Sequence, residues 1–252
     1  MPAGRLKVLV IEPSDGSVGS PVVLHFHLGG YILGTPELRV PVLQQAVAHT
    51  GAAIVSVDYR LAPEHPAPSA LEDALAAHAW MKSVAAARGW DASRVALMGE
   101  SAGGGIAVAL ALRLRDTDEQ IAHQVLIYPM LDDRTTAAGG EVGKYLWNAE
   151  SNAFAWRSYL GSRAEDVAAG WVAARAQDLQ GLPPTWIGVG TADLFAREDI
   201  AFAERLRQAE VPVELHITPG AYHGFDQFVP DAVASRRFQA SWISALSTAL
   251  MR

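Results

Sequence analysis

Short apolar runs recur along this chain at Leu6 to Ile11, Val22 to Phe26, Ala53 to Val57, Val95 to Met98, Val125 to Tyr128, Trp186 to Val189 and Val213 to Thr218. Stretches with helical spacing separate them, and strands alternating with helices predict an α/β fold, a doubly wound sheet with helices on both faces. The first two runs flank the turn-rich Pro13 to Pro21 and are expected to pair with each other. A helix should start after Thr35, with Pro36 at its first position, and stop at Gly51. The loop Arg60 to Pro68 contains three prolines and cannot be helical throughout. Ser69-Ala70-Leu71-Glu72 has the form of a capping box, opening a helix that reaches about Arg88. Further helices are expected over Ile106 to Leu114, over Glu198 to Gln208 and toward the carboxyl terminus.

The chain has 252 residues, enough for one α/β domain with a sizeable core and short of what a second full domain needs. Residues 1–252 are therefore read as one unit. Asp132 to Arg175, where periodicity weakens and tryptophans and glycines gather, is an excursion over the carboxyl edge of the sheet. Half the residues are hydrophobic, but no apolar stretch approaches the ~20 residues that span a bilayer. The apolar core Leu6 to Ile11 is interrupted by Lys7 and is too short for a secretory segment, so the expected location is cytoplasmic. A formal charge of -7, with basic residues scattered rather than clustered, argues against nucleic acid or an anionic membrane as partner. Cysteine is absent, which excludes disulfides and thiolate chemistry.

The chemistry gathers at a few places. Gly99-Glu100-Ser101-Ala102-Gly103 fits G-x-S-x-G between a strand and a helix, the sharp turn that lifts a nucleophilic serine above a parallel sheet. A serine hydroxyl needs a base within reach and a carboxylate that orients the base. His223 lies in a glycine-flanked loop just after a late strand, where an imidazole can reach back to Ser101. Asp193 follows the strand Trp186 to Val189 through Gly190-Thr191-Ala192 and is the expected orienting acid. Glu198 and Asp199 are its rivals, read as dipole partners at a helix start. Acyl transfer also needs donors for the developing oxyanion. The glycine turn after Phe26-His27-Leu28 can supply the amides of Gly29 and Gly30 beside that of Ala102. His27 is read as a hydrogen-bonded brace of that loop, and Leu28 and Tyr31 as residues at the substrate's mouth. His216 is expected to be packed, and His49, His65, His78 and His123 have no catalytic context.

These motifs make the chain resemble a bacterial esterase of the hormone-sensitive lipase family within the α/β-hydrolases. The family's His-Gly-Gly-Gly-aromatic segment is matched by His27 to Tyr31 with Leu28 at its first glycine. Its Tyr-Arg-Leu-Ala-Pro-Glu segment is matched by Tyr59 to Glu64, and its Gly-Asp-Ser-Ala-Gly-Gly by Gly99 to Gly104 with Glu100 for Asp. Gly190 to Asp193 and His223-Gly224-Phe225 align with the acid and histidine motifs. The resemblance implies an α/β-hydrolase fold with a mostly parallel sheet and a serine carboxylesterase acting on short-chain esters, with no metal and no organic cofactor. It also implies Gly29, Gly30 and Ala102 as oxyanion donors. An amidase or formamidase with the same triad, or a non-catalytic small-molecule binder of the same fold, are the alternatives. The family carries amino-terminal helices that help cap the site, whereas this chain begins almost at its early strands. A reduced cap and an open apolar rim are thus expected, and with them either self-association, a homodimer first, or marginal stability. A leucine at positive φ would cost roughly 1–2 kcal/mol, so Leu28 either strains and shifts the oxyanion loop or takes negative φ and packs against Tyr31 or the loop before Arg60 as a structural residue.

Overall fold

Strands β2 (Ser20–Phe26), β3 (Ala53–Asp58), β5 (His123–Ile127) and β6 (Thr185–Gly190) are buried at nearly every position. Both faces of the sheet are therefore covered, as the unbroken apolar runs require. These assignments come from a computed structural model that describes residues 5–14, 16, 18–136, 139–163 and 170–251. With β1 (Lys7–Ile11), β4 (Trp90–Glu100) and β7 (Val213–Thr218) the strands form one seven-stranded sheet in the order β1-β3-β2-β4-β5-β6-β7. All neighbours run parallel except β1 and β3. The fold is the α/β-hydrolase fold.

The expected pairing of the first two strands is corrected by this order. β1 pairs antiparallel with β3, Lys7 opposite Asp58 and Ile11 opposite Ile54, while β2 lies between β3 and β4. Burial accounts for the difference. β2 is buried throughout and needs a neighbour on each side, whereas β1 is half-exposed and suits an edge.

The period of two along β2 divides the core. Val22, Leu24 and Phe26 face α2 (Ser69–Arg88), α3 (Ala102–Leu114) and α5 (Ala196–Gln208), and Val23 lies on the face covered by α1 (Val40–Thr50), the short α6 (Phe225–Phe228) and α7 (Val233–Leu250). The helix expected after Thr35 begins as a 3-10 turn, Pro36–Arg39, before α1, and Gly51 ends α1 with φ of 66°. Helix α2 reaches Arg88 as expected, but Ser69-Ala70-Leu71-Glu72 is not a capping box. Pro68 is the N-cap and makes no side-chain cap bond; the Glu72 carboxylate turns instead to Arg60, 3.1 Å away. A cation within reach outcompetes a backbone amide for that carboxylate. Between β5 and β6 lies α4 (Ala149–Leu160), capped by Asn148, whose side chain accepts from the Ser151 amide at 2.9 Å. Parts of the 132–175 segment, namely 137–138 and 164–169, lie outside the described residues. Among the described residues no helix is long and apolar enough to cross a membrane.

Phe238 of α7 is fully buried among Tyr128, Trp186 and Phe225, with ring centroids 6.2, 5.4 and 5.0 Å away. Deleting a ring from such a site costs its transfer free energy and leaves a cavity. Phe238→Ala is expected to lower unfolding free energy by about 3–5 kcal/mol, read from the urea midpoint at unchanged m-value.

Candidate active site

Strand β4 ends at Glu100 and α3 begins at Ala102, so the whole reversal falls on Ser101, which takes φ 53° and ψ -120°. The flanking glycines make room for it. A Cβ on Gly99 would lie 2.1 Å from the Gly103 carbonyl oxygen, and one on Gly103 would lie 2.0 Å from the carbonyl oxygen of Phe26. The strained residue is held by its own backbone, its amide donating to Ile127 O at 2.9 Å and its carbonyl accepting from Met130 N at 2.8 Å.

The structure brings the three expected residues together. His223 Nε2 is 3.0 Å from Ser101 Oγ, and His223 Nδ1 is 2.9 Å from Asp193 Oδ2. The other oxygen of Asp193 accepts from the Phe195 amide at 2.9 Å. All three are buried, His223 keeping 8% exposure. With Asp193 as acceptor, Nδ1 carries the imidazole proton and Nε2 presents its lone pair to the serine hydroxyl. Aromatic edges fix the ring: Tyr128 at 4.8 Å and Phe195 at 5.1 Å between centroids, with Trp147 at 6.3 Å.

The loop after β2 carries its positive φ angles at Gly29 (132°), Gly30 (59°) and Tyr31 (64°), not at Leu28. The expected strain at Leu28 is therefore corrected: the glycines and Tyr31 turn the chain, and Leu28 is a half-buried residue with ordinary backbone. Its carbonyl accepts from His27 Nδ1 at 2.7 Å, while the His27 ring stacks on Tyr59 at 4.2 Å. His27 thus braces the loop, and burial lowers its pKa, keeping it neutral. Tyr31 is also corrected, from mouth to core. It is 1% exposed, stacks on Tyr159 at 4.0 Å and donates its hydroxyl to Met130 O at 3.1 Å. The amides of Gly29, Gly30 and Ala102 donate to no carbonyl in the turn and loop bonding of the described residues.

The rivals of Asp193 have other partners. Glu198 Oε1 accepts from the amides of Leu131 at 2.7 Å and Asp132 at 3.2 Å, and Oε2 accepts from the Thr135 hydroxyl. It pins the loop after β5, and burial outweighs these bonds to push its carboxyl up to about 8. Asp199 is fully buried and held well above the carboxylate range by burial, with Glu198 and Asp193 adding to the shift. Both lie in the first turn of α5, as expected, but buried. Among the remaining histidines, His216 lies against Trp186 and Phe238, while His78 and His123 are buried away from Ser101. Trp147 had no sequence signal. Its six-membered ring fills the space a Gly30 Cβ would need, 2.2 Å from that position, and its Nε1 donates to Asn152 Oδ1 at 3.3 Å.

The chain is similar to known proteins. The sequence profile of a family described as alpha/beta hydrolase fold matches residues 23–227. Esterase LipI of Mycobacterium tuberculosis is 35% identical over 230 residues, covering 89% of this chain and 72% of that protein. An ethyl acetate hydrolase of Pseudomonas putida is 30% identical over 215 residues, covering 84% of this chain and 68% of its own length. Among solved structures, esterase LipW from Mycobacterium marinum matches with a TM-score of 0.90 at 35% identity, over 98% of this chain and 83% of that one.

Two outcomes follow from the corrected loop and the buried acid. Leu28→Gly is expected to lower the melting temperature and leave kcat on a small ester within about twofold, because the leucine's backbone is unstrained and glycine only adds unfolded-state entropy. Glu198 binds a proton more tightly folded than unfolded, so its contribution to stability is full below about 4.5 and is lost as pH rises through about 8. Glu198→Gln preserves the amide contacts without titrating. The stability of wild type relative to Glu198→Gln should therefore fall between pH 5 and 8, read by denaturant melts across that range; a constant difference would contradict it.

Proposed function

Because the chain belongs to the α/β-hydrolase family, in its hormone-sensitive-lipase-like branch, we propose that it is a serine carboxylesterase that cleaves short-chain acyl esters through an acyl-enzyme on Ser101. The observation that carries this reading is the unbroken hydrogen-bond chain Ser101–His223–Asp193, with spacings of 3.0 and 2.9 Å. His223 Nε2 takes the hydroxyl proton as Ser101 Oγ attacks the ester carbonyl. Asp193 fixes the tautomer and faces the imidazolium that forms. The amides of Gly29, Gly30 and Ala102 are the donors to the tetrahedral oxyanion, supported by their having no carbonyl partner in the turn and loop bonding of the described residues. His223 then returns the proton to the departing alkoxide oxygen, releasing the alcohol. A water molecule, deprotonated by the same nitrogen, attacks the acyl-serine, and collapse of the second intermediate frees the acid and restores the hydroxyl. The complete triad contact favours this over a non-catalytic binder. The names of the relatives favour an ester over an amide.

Segment 132–175 is proposed to form a wall of the site. Trp147 lies against Gly30, and Trp156 and Tyr159 of α4 support Tyr31 at the end of the same loop. A wall so close to the oxyanion donors leaves little depth beside them, which fits small acyl groups such as the acetate named for the Pseudomonas putida relative.

Ser101→Ala is expected to lower kcat on 4-nitrophenyl acetate by about 10⁴ or more, and Asp193→Asn by on the order of 10³–10⁴ through the wrong tautomer, with both variants folded. A fluorophosphonate probe followed by mass mapping should label Ser101 in the wild type. Labelling elsewhere, or unchanged turnover in Ser101→Ala, would sink the assignment.

A further inference from the structure

Directly behind the triad lies a buried ionic cluster that the mechanism above does not use. At its centre is Arg39, the last residue of the 3-10 turn that follows the oxyanion loop, 3% exposed. Its guanidinium divides between two carboxylates distant in sequence. Nε donates to Glu100 Oε1 at 3.0 Å, and Nη2 donates to Asp226 Oδ2 at 2.9 Å. Glu100 is the residue before the nucleophile, and Asp226 is three residues after the base. The second oxygen of each carboxylate is also engaged. Glu100 Oε2 accepts from His25 Nε2 at 2.7 Å, and His25 Nδ1 in turn meets Ser56 Oγ at 2.7 Å. Asp226 Oδ1 accepts from the Tyr128 hydroxyl at 2.8 Å, and the Tyr128 ring is the edge that fixes the His223 imidazole at 4.8 Å. Gln239 Nε2 adds a bond to the Asp226 backbone carbonyl at 3.0 Å.

The arrangement joins three pieces of chain that the proposed chemistry needs in register: the turn carrying Ser101, the loop carrying His223, and the segment leading out of Gly29 and Gly30. A planar cation with two engaged donors holds its partners at fixed spacing and orientation, which a lysine ammonium cannot do for both. Stability alone does not account for the cluster. Desolvating one cation and two carboxylates is costly, and apolar residues of similar volume commonly stabilise such a site as well or better.

We propose that Arg39 is a positioning residue of the esterase site: by clamping Glu100 and Asp226 it sets the distance between the serine hydroxyl and the His223 imidazole, with Tyr128 passing the Asp226 end of the clamp to the imidazole ring. The inference rests on the triad reading above, and its predicted signature is slower turnover in each folded molecule rather than fewer folded molecules.

The test compares wild type, Arg39→Lys and Tyr128→Phe on 4-nitrophenyl acetate, with the number of competent sites counted by stoichiometric fluorophosphonate labelling of Ser101 and kcat expressed per labelled site. Arg39→Lys keeps the charge and loses the fork. Tyr128→Phe removes one hydroxyl and keeps the ring, and it carries the test alone should Arg39→Lys not fold. The expected result is a kcat per labelled site reduced about 10–100-fold in Arg39→Lys and about 3–30-fold in Tyr128→Phe, with KM within threefold and a proportionally slower labelling rate. A kcat per labelled site equal to wild type, with only site number or melting temperature reduced, would overturn the proposal and leave the cluster a structural one. Absence of Ser101 labelling in the wild type would instead refute the esterase reading, and this inference with it.

Discussion

The backbone contact between Gly103 and the end of β2 is the constraint on which the rest of the site depends. A Cβ at Gly103 would sit 2.0 Å from Phe26 O and 2.7 Å from His27 O. Helix α3 therefore starts in contact with the strand that runs into the Gly29–Gly30 turn. The same close approach accompanies a reversal confined to Ser101, whose rare φ/ψ of 53° and -120° costs on the order of 1–3 kcal/mol, and it sets the Ala102 amide beside the strand that leads into Gly29 and Gly30. Backbone bonds from Ile127 and Met130 lock the strained residue from the neighbouring strand and its loop. The strain is thus held by sheet and helix rather than by any side chain, and the hydroxyl is left free of capping duty for contact with His223.

The imidazole sits in an aromatic frame. Tyr128, Phe195 and Trp147 surround it, so its hydrogen bonds to Ser101 and Asp193 operate at low local dielectric, where they are stronger and more directional than in water. The frame is assembled from three separate segments: the end of β5, the start of α5 and the loop before α4. The core makes this economical, because Phe238 packs under Tyr128 and Phe225 at once and so supports both the frame and the loop that carries His223.

Much of this was legible from residue order. The apolar runs located the strands to within a few residues because buried parallel strands are apolar throughout, and the glycine spacing around Ser101 marked a turn whose steric need is severe. What escaped had weaker local signatures. The position of β1 beside β3 depends on which strand must be buried on two sides, a property of the assembled sheet. The capping-box pattern at Ser69 was overridden by Arg60, a residue brought close only by the fold. Leu28 looked strained because a motif was read position by position, yet the loop moves its positive φ angles onto Gly29, Gly30 and Tyr31. Arg39 and Asp226 carry no motif, and their common function is visible only when segments 187 residues apart meet.

The two sides of the triad solve the burial of carboxyl groups in opposite ways, and the difference bears on the charge that His223 sees. Toward Arg39, Glu100 is buried with a cation and a histidine N–H, which hold its carboxyl down to about 2 against the cost of burial. Toward α5, Asp199 and Glu198 are buried without a cation, and burial pushes both carboxyls upward. Asp199 is close enough to Asp193 for the two charges to oppose each other. Its preference for the protonated form removes that opposition and leaves Asp193 as the carboxylate that meets the His223 ring. A second anion at Asp199 would oppose the charge of Asp193, whose other oxygen the Phe195 amide anchors. Burial of Asp199 with no cation beside it among the described residues therefore keeps a second negative charge away from Asp193.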